Sequence, residues 1–86
     1  MIDTIELSKK LISFDSVTPA KQDIFDFLIK IFEEQGFSTK QLNFDGDGSY
    51  EVINLMATYG STNTNAKHFN FLCHVDVVPP GNLEDW

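Results

Sequence analysis

Residues 24–44, IFDFLIKIFEEQGFSTKQLNF, change their hydrophobic period once, and that change decides the fold class. Ile24, Phe27, Leu28, Ile31 and Phe32 recur at i, i+3, i+4, i+7 and i+8. This is the wide apolar stripe of a helix packed on one face. Gly36 is placed to take the left-handed position just past the helix end, and Phe37 to make the apolar contact that follows such a stop. Beyond Gly36 the period falls towards two. Phe37 to Phe44 reads as a weak strand with Leu42 and Phe44 on one face. On the upstream side Thr18 suits an N-cap and Pro19 the first helical position, so the helix is expected from about Pro19 to Gln35.

Further upstream a first helix is expected from about Asp3 to Phe14. Asp3 can cap it, with Glu6 three residues later as in a capping box. Leu7, Leu11 and Phe14 form its stripe, flanked by Ile5 and Ile12. It should stop in Asp15-Ser16-Val17-Thr18-Pro19, where Pro19 disfavours helical dihedrals at Thr18. Downstream, Asp45-Gly46-Asp47-Gly48 is a turn. Tyr50 to Tyr59 is a stronger strand, with Val52, Ile53, Leu55, Met56 and Ala57 supplying apolar groups to both faces. Gly60 to Lys67 is turn chemistry, and Phe69 to Val77 reads as a third strand. There is no internal repeat, low-complexity tract or linker, so residues 1–86 form one unit. Its class is α/β, two N-terminal helices followed by strands of a mixed sheet. Phe25, Phe27 and Phe32 read as core rather than as a partner-binding face, and Glu33-Glu34 as a solvated helix end.

Composition narrows the function classes. The chain has 86 residues, 42% of them hydrophobic and 22% charged, with a net charge of −7. That sign argues against nucleic acid and anionic membranes as partners, because an acidic surface gains nothing from displacing their counterions. No apolar run approaches the ~20 residues of a membrane span. Met1 to Glu6 has neither a basic n-region nor a small-residue cleavage site, and the single cysteine, Cys73, cannot form an internal disulfide. A cytoplasmic setting is the simplest expectation. Asp45-x-Asp47-x-Ser49 opens like a calcium loop, but Tyr50 and Met56 fall where the glycine and the bidentate glutamate belong. Gly46 and Gly48 complete no phosphate-binding loop.

The third strand presents the chemistry. Phe69, Phe71, Cys73, Val75 and Val77 alternate onto one face, and Asn70, Leu72, His74 and Asp76 onto the other. His74 and Asp76 are thus ~6.6 Å apart along the strand, on the same side. Val78-Pro79-Pro80-Gly81 cannot continue a central ladder, which puts the pair at the strand's C-terminal edge, where open α/β sheets bind ligands. A neutral imidazole suits zinc, and a nearby carboxylate can take its other proton and fix the tautomer. The tripeptide alone equally describes a satisfied histidine beside an aspartate that opens a turn.

The wider sequence separates these readings. His74-Val75-Asp76-Val77-Val78-Pro79-Pro80-Gly81, followed by Trp86, resembles the metal-binding segment of the di-zinc aminoacylase and carboxypeptidase-type metallopeptidase family. Leu11 to Pro19, Gly36-Phe37, and Asn54-Leu55-Met56-Ala57 with Gly60 resemble its other segments in order and spacing. Pro-Pro-Gly and the Trp look most like the branch that hydrolyses N-succinyl-LL-2,6-diaminopimelate to succinate and LL-2,6-diaminopimelate. The resemblance implies that the chain is the first part of a zinc-peptidase-like catalytic domain. It implies His74 as a zinc ligand, Asp76 as the carboxylate that orients it, and two zinc ions in a complete site, with cobalt able to substitute. It further implies a small-molecule substrate, and a homodimer for the full-length protein.

The family's usual glycine before the histidine is Cys73 here, expected to be a small buried residue behind the site. The remaining ligands and the general base of the family lie downstream of the stretch ending at Trp86, so this chain alone is expected to be inactive. His68 begins the same strand ~20 Å from His74 and cannot share its metal. Two further readings stay open: an acetylornithine-deacetylase-like or other di-zinc peptidase, and a non-catalytic interaction module.

Overall fold

The computed structural model describes residues 2–86; Met1, the first residue of the stretch read above for a leader, lies outside the described residues. Four principal elements follow in order: α1 (Thr4–Ile12), α2 (Gln22–Glu34), β1 (Ser38–Phe44) and β2 (Val52–Thr58), with a short 3₁₀ turn at Leu83–Asp85. Asp3 caps α1 as expected, its Oδ1 accepting from the Ile5 N–H at 2.9 Å and the Glu6 N–H at 3.3 Å. Leu7, Leu11 and Phe14 turn inward to partial burial, while Ile5 and Ile12 stay exposed. Phe14 meets Phe27 of α2 with ring centroids 5.5 Å apart, and the Lys10 ammonium lies 5.1 Å above the Phe14 ring. The helices are thereby joined through an aromatic pair with a cation over it.

The end of α2 is built as its sequence requires. Gly36 has φ +89°. The Gly36 N–H donates to Glu33 O and the Phe37 N–H to Phe32 O, both at 3.0 Å. These are the paired bonds of a Schellman stop, and its apolar contact is present as Phe32 against Phe37, centroids 5.2 Å apart. Phe37 also packs on Tyr59, which brings the far end of β2 back to the helix end.

The start of α2 differs from expectation. The helix begins at Gln22 with Lys21 as a cap lacking a side-chain bond, and the Thr18–Pro19 peptide is cis. Thr18 is not the N-cap. Its N–H and hydroxyl are engaged with Val77 and Asp76, which holds it in extended pairing away from the helix.

β1 and β2 pair antiparallel from Ser38↔Thr58 to Phe44↔Val52. Ile53, Leu55 and Ala57 are half-buried, and the residues between them are exposed, the alternation of a sheet with one covered face. Gln22 and Gln41 exchange amide hydrogen bonds at 2.7 and 2.9 Å, and the Thr39 hydroxyl donates to Glu33 at 2.6 Å. These bonds fasten α2 across β1. The core is small: Ile24 (1% exposed) and Phe25 (6%) are its buried apolar side chains among the described residues.

The expectations for the sheet are corrected. The sheet is a two-stranded antiparallel one, not a mixed sheet, and Phe69–Val77 is no third strand. A strand exists through its ladder partner, and residues 69–76 find none among the described residues. Its backbone pairs with the rest at one parallel bridge among the described residues, Val17↔Val77. Cys73 is consequently exposed rather than buried, because no second layer covers its side of the segment.

Candidate metal centre

The bridge between the α1–α2 loop and the terminal segment positions the candidate site. The Val77 N–H donates to Ser16 O and the Thr18 N–H to Val77 O, both at 3.0 Å. Asp76, one residue before the bridge, is thereby held against the loop. His74 lies two residues earlier on extended chain, within reach of Asp76. The imidazole Nδ1 sits 2.9 Å from the Asp76 backbone oxygen and 3.0 Å from Asp76 Oδ1. Both partners can only accept, so Nδ1 carries the proton and donates. In the neutral ring the lone pair then resides on Nε2, the arrangement a cation requires.

The His74 side chain is 83% exposed, at the rim of an apolar hollow of about 380 Å³ whose walls include Leu11, Phe14, Ile24 and Val75. Asp76 is more enclosed and uses both oxygens. Oδ1 takes His74, and Oδ2 accepts the Thr18 hydroxyl at 2.7 Å. The Thr18 bond, chiefly, holds the Asp76 carboxyl below its ordinary value of 3.8. Partial desolvation opposes that shift, and the His74 contact adds to it. The carboxylate is therefore ionised at neutral pH and a strong acceptor.

The donor set fits one ligand of a zinc centre and the carboxylate that orients it. Among the described residues no three of His, Cys, Asp or Glu come together where they could hold an ion. His68 is exposed and makes no part of the pair. Asp76 and His74 were legible from their spacing. Thr18 was not: a threonine before a proline suits a helix cap, and its partner Asp76 lies 58 residues away. The terminal motif folds as a hook, with Gly81 at φ +77° and the Trp86 indole N–H donating to Pro80 O at 3.0 Å.

No protein-family model matches the chain, and no solved structure does. Curated sequences do match. The succinyl-diaminopimelate desuccinylase of Wolbachia sp. subsp. Brugia malayi (strain TRS) is 45% identical over 85 residues, 99% of this chain and 20% of that protein. That of Pelagibacter ubique (strain HTCC1062) is 45% identical over 82 residues, 95% of this chain and 21% of that protein. The chain is similar, end to end, to succinyl-diaminopimelate desuccinylases. The desuccinylase of Bradyrhizobium sp. (strain ORS 278), 35% identical, aligns over all 86 residues and so takes in the His74–Asp76 pair. The chain spans about one fifth of the length of these desuccinylases. No helix among the described residues is long and apolar enough to cross a membrane.

Proposed function

We propose that this chain is the N-terminal part of a zinc-dependent amidohydrolase that cleaves N-succinyl-LL-2,6-diaminopimelate to succinate and LL-2,6-diaminopimelate in the cytoplasm. End-to-end similarity to desuccinylases supports the substrate class. The observation that carries the site is the His74 imidazole, its Nδ1 proton committed to Asp76 and its ring open to solvent. His74 Nε2 holds one of two divalent ions, zinc or in its place cobalt, and Asp76 keeps the ring in the required tautomer and plane. Zinc, when bound, supplies Lewis acidity at the scissile carbonyl and acidifies a water towards a pKa of ~7. Asp76 remains ionised through this chemistry, because Thr18 and His74 both hydrogen-bond to its charged form. A catalytic zinc site takes about three protein ligands. The further ligands and the general base therefore come from sequence beyond this stretch, and the chain by itself does not turn over substrate. The full-length enzyme works on a small molecule, as a homodimer.

Replacing His74 with Ala in the full-length protein removes one ion per site and most turnover. Metal analysis together with succinate release checks this, and an unchanged metal content and rate would refute the assignment. N-acetylornithine offered beside the succinyl substrate separates the desuccinylase from its deacetylase relatives.

A further inference from the structure

We infer that Thr18 is a positioning residue for the metal site: its hydroxyl fixes the plane of the Asp76 carboxylate, and through it the His74 imidazole. The inference deepens the function proposed above and rests on that reading. Thr18 and Asp76 are 58 residues apart in sequence, yet Oγ1 and Oδ2 are 2.7 Å apart. The terminal torsion of an aspartate is broad, so one hydrogen bond leaves its carboxylate free to rock. Asp76 has two bonds on two different oxygens, one to the ring it orients and one to a hydroxyl on the other side. With both made, rotation breaks one of them. The Thr18 hydroxyl has a single proton and two acceptors in reach, Asp76 Oδ2 at 2.7 Å and Val77 O at 3.2 Å. The shorter contact, to the ionised oxygen, is the stronger.

The hydroxyl is itself well anchored. Thr18 donates its backbone N–H to Val77 O, and Val77 returns a bond to Ser16 O, so the register between the loop and the terminal segment is set on both sides of the contact. A β-branched side chain adds a stiff first torsion. The α1–α2 loop thus acts as a brace, reaching the candidate cation in three steps: hydroxyl, carboxylate, imidazole. This role also explains why Thr18 does not cap α2.

The test uses the full-length protein. Thr18→Val removes the hydroxyl and keeps the shape, while Thr18→Ser keeps the hydroxyl. Zinc affinity is read by competition with a chromogenic chelator, and the position of the His74 ring proton by nitrogen NMR of the metal-free, histidine-labelled protein. Partners outside the ligand shell contribute 10- to 100-fold in metal affinity, so Thr18→Val should weaken zinc about 10-fold and Thr18→Ser less than about twofold. Thr18→Val should also shift ring protons from Nδ1 to Nε2. On an Asp76→Ala background, Thr18→Val should add almost nothing, since it acts only through that carboxylate.

Wild-type affinity and tautomer in Thr18→Val would overturn the inference. So would equal damage from Thr18→Ser, or an undiminished effect without Asp76; each marks a merely structural threonine. Where circular dichroism shows Thr18→Val unfolded, Thr18→Ala takes its place with the same expected loss. Full zinc affinity in His74→Ala sinks the metal reading instead. The tautomer measurement, made without metal, still judges Thr18 in that case.

Discussion

An imidazole offers a lone pair to a cation only while its proton is kept on the other nitrogen. At His74 the Asp76 backbone oxygen and Oδ1 both accept from Nδ1, which leaves the lone pair of the neutral ring on Nε2. Asp76→Asn keeps a carbonyl acceptor but loses the charge that makes the bond strong. In the full-length protein it should weaken zinc binding about 10-fold or more, read by chelator competition, with the fold intact by circular dichroism. A second carboxylate shows the same chemistry away from the candidate site. Lys21 donates to Asp15 Oδ2 at 3.1 Å, and that bond, with the Val17 N–H and the ammonium's charge, holds the Asp15 carboxyl below its ordinary 3.8. A carboxylate lowered in the folded state stabilises above its unfolded pKa, and the contribution disappears as pH falls through the folded value. Lys21→Met should therefore raise the Asp15 midpoint towards 3.8, read by carboxyl NMR titration. The pair is exposed, so its effect on overall stability is small. Sequence made His74 and Asp76 legible because two residues of extended chain put both on one side. Thr18 was hidden because its partner is distant in sequence, and a threonine before a proline satisfies a helix cap just as well on paper.

At the scale of elements, local chemistry was readable and pairing was not. Asp3, Gly36 and Phe37 each act within a few residues of themselves, and the structure places them as their types require. Gly36 is the sharpest case. A Cβ there would meet Tyr59 Cε2 at 3.5 Å, ordinary contact, so the obstacle to any other residue is the backbone at φ +89°. Gly36→Ala should cost about 1–2 kcal/mol, the penalty of a left-handed L-residue, with the denaturation midpoint lowered and the slope unchanged. Gly36→Asn should cost less, since asparagine tolerates that region. Asp3→Ala, which strips two bonds from the start of α1, should cost about 1 kcal/mol by the same measurement. Alternation in 69–77 is as clear as in β2, yet only β2 is a strand. β2 has β1 beside it through a short loop, whereas 69–76 must find a ladder partner elsewhere. Period reveals which side chains share a face and says nothing of what lies next to them.

On the scale of the whole molecule, the chain is more extended than its length suggests. A folded unit of this size has a radius of gyration of about 12 Å. Here it is 15.7 Å, with axes of 53 × 39 × 20 Å. The excess goes with apolar exposure. Phe69, Phe71 and Leu72, the last at 93% exposure, stand out in a segment whose backbone makes no ladder. Phe69-Asn70-Phe71-Leu72-Cys73 is uncharged, lacks proline and is rich in aromatic residues, the composition that pairs edge to edge when left open. Against this stands the net charge of −7, which repels one copy from another over a distance set by salt. The two effects predict opposite responses to ionic strength. Isolated as 86 residues, the chain should bind a hydrophobic dye. Its sedimentation should shift to larger species as salt rises from about 10 mM to about 500 mM and the Debye length falls below roughly 5 Å. Phe71→Glu together with Leu72→Glu should weaken both the dye binding and the salt-driven shift, since they add like charge to the open segment without touching the Val17↔Val77 bridge. Were the double variant to associate as the parent does, the contact between copies would lie elsewhere, the exposed Phe44–Met56 face of the sheet being the next place to put a charge.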